Sequence, residues 1–255
     1  FQRVRNESDA IASERARAFP EPIFEASAVV LRNVSRVFQR ANDSIHVLNL
    51  VSDGTLVYVN GRVTCVDAYH VCHDQVPPHA LSVHLHGGTV LPGLTSYGST
   101  LGLSDVPSES SASNGQDPSL LTRHLYLDTK RLVPRAEDGL IFGGHALRRA
   151  HASGVTTAVN VPATIGMFGG VSTHFDTGAR TVLDAHSVRT SEVALHVRLA
   201  YPIDDHEPSL ATQLALLRSL LRNPPPGSVE WHRVSRGECP LVVKTNAQDT
   251  VAKLI

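Results

Sequence analysis

From Gly87 to Leu103 the chain reads Gly-Gly-Thr-Val-Leu-Pro-Gly-Leu-Thr-Ser-Tyr-Gly-Ser-Thr-Leu-Gly-Leu, and no other stretch constrains the fold as much. The paired glycines permit a sharp turn, Thr89 to Leu91 supply a short apolar run, and Pro92-Gly93 redirects the backbone. Residues from Leu94 onward are then aimed out of a strand end into a polar loop. This turn predicts a joint between two bodies of different texture.

Upstream, residues 1–25 are charged and irregular and form a lead-in, with Pro20 and Pro22 stopping any helical turn. Residues 26–88 carry β-rich runs at Ala28 to Leu31, Ile45 to Val51, Leu56 to Val59, Arg62 to Val66 and Leu81 to Leu85. Asp53-Gly54 and Asn60-Gly61 separate them as turns, so a small antiparallel sheet is expected. Downstream the pattern changes. Ser104 to Asp117 is a long Ser/Pro/Asn/Asp/Gly loop, and Gly143 to Gly154 has a helical apolar face closed by glycine, followed at once by the β-branched strand Val155 to Val159. Helix, glycine, buried strand is one step of an α/β fold. A second step leads from Ser191 to His196 into a helix over Ala211 to Arg222, ended by Asn223-Pro224-Pro225-Pro226-Gly227. Pro240 to Thr245 reads as a strand and Ala247 to Ile255 as the start of a helix.

Composition excludes some classes. The 255 residues are 42% hydrophobic with a net charge of -1, and the basic residues are scattered, which argues against a nucleic-acid surface. No apolar run approaches the roughly 20 residues of a membrane span. Cys65, Cys72 and Cys239 are odd in number and at no zinc spacing, which favours free thiols. Asn6-Glu7-Ser8, Asn33-Val34-Ser35 and Asn42-Asp43-Ser44 fit the short glycosylation pattern, a common chance match. The compartment stays open between cytoplasm, slightly favoured, and the secretory pathway.

In order, Asp53-Gly54, Asn60-Gly61-Arg62-Val63, Gly87 to Leu94 and Gly154-Val155-Thr156-Thr157 resemble the amidohydrolase superfamily. Ser96 to Leu103 resembles its fungal branch similar to N-acetylglucosamine-6-phosphate deacetylases. The resemblance covers Ala28 to Ile255 and implies an α/β fold: a small β-sandwich (the composite domain) over residues 26–88, then the first units of a TIM-like (β/α) barrel over 89–255. It implies a divalent metal, zinc, held by a His-x-His pair after Pro-Gly-Leu. Here those two positions are Gly98 and Thr100, and a later ligand position is Asn246. Glycine has no ligand atom, and neither a threonine hydroxyl nor an asparagine oxygen is a good substitute for imidazole on zinc. The stretch from Thr89 to Ile255 is also well short of the about 250 residues of a complete barrel. An N-terminal portion of a longer protein is therefore expected, with the remainder of its own barrel as a partner and poor solubility in isolation.

Other groups carry weaker chemistry. His84-Leu85-His86 would place two imidazoles on one strand face, yet it precedes the turn and reads best as two partly exposed histidines. His70, Cys72, His73 and His79 form a polar loop with ligand types at no fixed geometry. Gly166 to Gly178 reads as a glycine-rich loop after a strand, able to offer backbone N–H groups, Ser172 and His174 to a substrate. It lacks a Walker lysine or a dinucleotide fingerprint. Ser96, Ser99 and Thr100 join Ser172 and His174 as candidate small-molecule contacts. Asp105, Glu109 and Asp117 are acids in a loop, more often solvated than catalytic.

The resemblance implies a hydrolase acting on a non-peptide C–N bond, in the finer reading deacetylation of an N-acetyl amino sugar. Gly98, Thr100 and Asn246 motivate the alternative of a non-catalytic binding or scaffolding protein that has lost its metal site. A carbohydrate-binding β-sandwich with a helical appendage accounts for Ala28 to Leu85 but leaves the αβ steps without a purpose.

Overall fold

The computed structural model describes residues 27–41, 44–50, 53–106, 109–115, 133–163, 166–202 and 208–254. The lead-in, the sequons at Asn6 and Asn42, and Asp117 lie outside the described residues. The chain divides into two compact units, Phe1–Gly93 and Leu94–Ile255.

In the first unit, β1 (Ala28–Ala41) is the long central strand. One of its edges takes β3 (Gly54–Val59) and then β2 (Ser44–Asn49), both antiparallel. The other takes β5 (Leu81–Val90), which runs parallel to it. The all-antiparallel expectation is therefore corrected. A parallel partner needs a crossover, and β4 (Arg62–Ala68), the single-turn helix α1 (Tyr69–Cys72) and the segment after it provide one. Asn33, at φ 52, marks a bulge where the β1–β5 register shifts. Leu56 and Val57, neighbours on β3 and so on opposite faces, belong to different apolar clusters, one around Val34 and Val37 and one around Val30 and Cys72. The described strands form one five-stranded sheet, and the second stacked sheet of a sandwich is not among them.

Free thiols were expected, but Cys65 and Cys72 form a disulfide, with Cα atoms 5.7 Å apart. The reason is local. The chain leaves β4 and turns through α1, which brings Cys72, fully buried, back beside β3 and β4. Cys239 is free and buried.

The second unit holds a five-stranded sheet in the order β10-β9-β8-β7-β6. These are β6 (Leu94–Tyr97), β7 (Val155–Asn160), β8 (Phe168–Asp176), β9 (Val188–Arg198) and β10 (Leu241–Lys244). Strands β6 with β7, and β9 with β10, pair in parallel, as alternating β/α units require. Between them β8 is antiparallel to both neighbours, so the sheet is mixed. The loop expected over Gly166 to Gly178 is corrected. Most of it is this strand, in which Val171, Ser172, Thr173 and Phe175 are buried.

One face of the sheet is covered by helices. Val171, Leu195 and Val197 pack in one core with Leu214, Leu217 and Leu220 of α3 (Leu210–Arg222) and with Trp231 and Val234 of α4 (Val229–Ser235). Ala158 and Phe175 pack on Leu147 of α2 (His145–Ala152). A last short helix, α5, spans Gln248–Ala252. Arg135 bridges Glu192 on β9 and Glu230 on α4, and Arg233 pairs with Glu192, tying strand to helix at the surface.

Candidate functional site

Because side chains alternate along a strand, the face opposite the helices carries Ser172, His174, Ala194 and His196, whose neighbours Val171, Phe175, Leu195 and Val197 point into the helical cores. Tyr97 of β6 joins this face, with its ring centroid 6.2 Å from that of His196 on β9. Two strands lie between them, and in a flat sheet three strand spacings come to about 14 Å. The sheet must therefore curl, with Tyr97 and His196 meeting across its concave side. Glycines make room for this. A Cβ on Gly169 would lie 3.0 Å from His196 Cβ, and Gly170, at φ +84, would put one 2.3 Å from the carbonyl oxygen of Pro134. Sequence reasoning took these glycines for loop flexibility, whereas they allow a close approach within a strand.

The concave face is chemically open. Nε2 of His174 and Nε2 of His196 are buried with no hydrogen-bond partner among the described residues. Burial pushes the His196 pKa down from its ordinary value. Burial, reinforced by the nearby Arg189 charge and opposed by Asp176, does the same for His174. Both imidazoles are held toward the neutral form, with a nitrogen able to accept a proton. Burial raises the Tyr97 phenol, which keeps it a donor. Tyr97 and His196 were not singled out from the sequence. The available signal was the β-branched and apolar alternation around His196.

The end of β6 is chemically closed. Ser96 Oγ donates to Ser99 Oγ at 2.9 Å, Ser99 Oγ donates to Asn160 Oδ1 at 3.2 Å, and the Leu101 N–H donates back to Ser99 Oγ at 3.4 Å. Asn160 Nδ2 donates to the Leu101 carbonyl, and Asn160 is fully buried. A serine hydroxyl offers one donor and two acceptor positions, so Ser99 has none left. Ser172 is likewise buried, donating to the Ala194 carbonyl at 3.3 Å. Of the five contacts expected from the sequence, Ser96, Ser99 and Ser172 hold the fold together, His174 lies on the open face, and Thr100 is exposed beside the strand end.

The acids of the loop are structural as well. Asp105 accepts from the N–H groups of His145 and Ala146 at the start of α2. The Ala146 bond is the largest cause holding its pKa low, aided by the His145 bond and the His145 and Arg148 charges. Glu109 accepts from Ser111 Oγ at 2.8 Å and from the Ser111 N–H.

The residues at the implied metal positions do not fit a divalent ion. Gly98 has φ +70, a conformation unfavourable for any side chain. Thr100 and Asn246 are exposed, and no group of three His, Cys, Asp or Glu among the described residues could hold an ion. In the first unit, His84 and His86 are exposed with ring centroids 4.3 Å apart, and His86 sits at φ 50 in a bulge. His70, His73 and His79 are exposed, and Cys72 is taken by the disulfide.

No protein-family model matches the chain. It is 33% identical over 193 residues to a protein named amidohydrolase tasK from Hapsidospora irregularis, a match covering 70% of this chain and 17% of that protein. It also superposes, with a TM-score of 0.63 at 17% identity, on the crystal structure of an amidohydrolase from Thermotoga maritima MSB8, covering 89% of this chain and 60% of that one. The structural likeness establishes a shared mixed α/β fold. The chain thus spans about a sixth of its sequence relative and three fifths of the solved neighbour. No helix among the described residues is long and apolar enough to cross a membrane.

Proposed function

We propose that the protein belongs to an amidohydrolase-type hydrolase acting on a non-peptide carbon–nitrogen bond of a small molecule. The observation that carries this reading is the 33% identity over 193 residues to amidohydrolase tasK. The concave face supports it. Hydrolysis of an amide needs a base for the attacking water and a donor for the leaving nitrogen, and His196 beside Tyr97 offers a neutral imidazole and a protonated phenol. Thr100 and His174 are the candidate substrate contacts with groups still free. In the finer reading the substrate is an N-acetyl amino sugar that loses acetate. The remainder of a longer chain is the expected partner of the sheet, whose outer strands β6 and β10 each pair on one edge only among the described strands.

The test is acetate release by the full-length protein from N-acetylglucosamine, its 6-phosphate and a panel of other amides. Turnover of at least one amide, reduced about 100-fold or more by His196→Gln, is expected on the scale of a general base. A folded full-length protein inactive on the whole panel, with and without added divalent metals, would overturn the reading. Gly98, Thr100 and Asn246 favour the second reading, a binding module that keeps the concave face without chemistry. It predicts saturable binding of a panel member with no turnover.

A further inference from the structure

We propose that the end of β6 is a metal-free lock, in which Ser96, Ser99 and Asn160 close upon one another the position from which a divalent metal would be held. This goes beyond the hydrolase reading and rests on the same amidohydrolase resemblance only for where the metal positions lie, not on any activity. Three observations carry it. First, the hydroxyl of Ser99, which lies between Gly98 and Thr100, has its donor on Asn160 and accepts from Ser96 and from the Leu101 N–H, leaving no lone pair for an ion. Second, Asn160 is fully buried at the end of β7 and joins that strand to the loop after β6 through Ser99 and Leu101. A side chain so placed is retained because removing it would strand its partners without water to replace it. Third, a Cβ on Gly98 would meet nothing within 4 Å, so space does not prevent a histidine there. The backbone does. At φ +70 the Gly98 N–H donates to the Val159 carbonyl at 2.9 Å, and a side chain would strain the turn that makes this bond.

The lock fixes the end of β6 to the end of β7 through side-chain hydrogen bonds alone. Two consequences separate it from an ordinary loop. Ser99 and Asn160 act as a unit, and restoring imidazoles alone does not create a metal site, because the backbone and Ser99 are already committed.

The experiment uses the full chain. Thermal melts of Ser99→Ala, Asn160→Ala and the double variant come first, with titration of each metal-stripped protein by Co²⁺ and Zn²⁺, read by visible absorption and calorimetry. Each single variant is expected to lower Tm by about 2–8 °C, from the cost of stranding a buried polar group converted for a chain of this size. The double variant is expected to fall only slightly below Asn160→Ala. Neither the parent nor Gly98→His/Thr100→His should take up one equivalent of either metal. Additive Tm shifts in the double variant would overturn the lock. So would one-to-one metal binding by the parent that disappears in Asn160→Ala. The parent titration and the melting cycle decide the matter even if Gly98→His/Thr100→His fails to fold, and because hydrolysis is not read, a failed activity assay leaves this result intact.

Discussion

Ser99 lies just beyond the end of β6 and His196 on β9 of the same curled sheet, yet the serine has every hydrogen-bonding position filled while the histidine has a buried ring nitrogen with no partner among the described residues. The difference separates structure from function within one unit of the chain. Polar groups that satisfy one another at low exposure hold strands together and have little left to give a ligand. A buried group without a partner costs free energy that a fold keeps only for a reason, and a ligand able to hydrogen-bond it would recover that cost. The strand end, where the resemblance directs attention, is of the first kind. The concave face around Tyr97, His174 and His196 is of the second.

The contrast can be broken at several points. The largest effect is expected at Gly170, where β8 passes against the Pro134 carbonyl. Gly170→Val meets both a left-handed backbone and the Pro134 carbonyl, and should cost about 3 kcal/mol or more in urea unfolding. A near-neutral result would mean that β8 does not run against Pro134 as described. Next, Asn160→Ala should cost about 2 kcal/mol by leaving Ser99 and Leu101 short of a partner, and a loss within a few tenths would show that the strand end is not closed. Asp105→Ala, which removes the acceptor for two N–H groups of α2, should cost about 1 kcal/mol. Because the folded pKa of Asp105 lies below its usual 3.8, its contribution is present above that value and lost as pH falls through the lower folded pKa. An acid-melting curve unchanged in Asp105→Asn would contradict this.

The smallest stability effect, and the sharpest for the open face, belongs to His196. Burial lowers its folded pKa below the ordinary 6.5, so the unfolded chain binds the proton more tightly. The parent should therefore lose stability as pH drops below about 6.5. His196→Gln should flatten that slope below about pH 6.5 while changing stability little at pH 7. A parent whose stability is flat between pH 7 and pH 5, or a His196 that titrates at or above its ordinary value by NMR, would move the open face elsewhere.

Much of the architecture was legible because it rests on local signals. Val155 to Val159 and Ala211 to Arg222 are bounded by Gly154 and by Asn223-Pro224, and the structure has β7 (Val155–Asn160) and α3 (Leu210–Arg222) there. The two units divide after Gly93, not at the bound between residues 88 and 89 drawn from the sequence. What failed depended on distant residues. The glycines of β8 look like a loop until Pro134 and His196 are seen pressed against them. The disulfide is the local exception: its cysteines are 7 residues apart, and it depends on how α1 folds back, which their spacing alone does not reveal. The strand-end lock joins Ser99 to Asn160 across 61 positions, and Tyr97 meets His196 only because the sheet curls. The sequence did show that Gly98 and Thr100 are poor metal ligands; it could not show that Ser99 is already committed.

The most direct test of that commitment is the side-chain amide of Asn160, followed by NMR in the full chain while Zn²⁺ is added to the metal-stripped protein. The account predicts an amide protected from solvent exchange, whose resonances stay in place through one equivalent of zinc. A rapidly exchanging amide, or one that shifts in a saturable one-to-one manner and loses that response in Ser99→Ala, would contradict it.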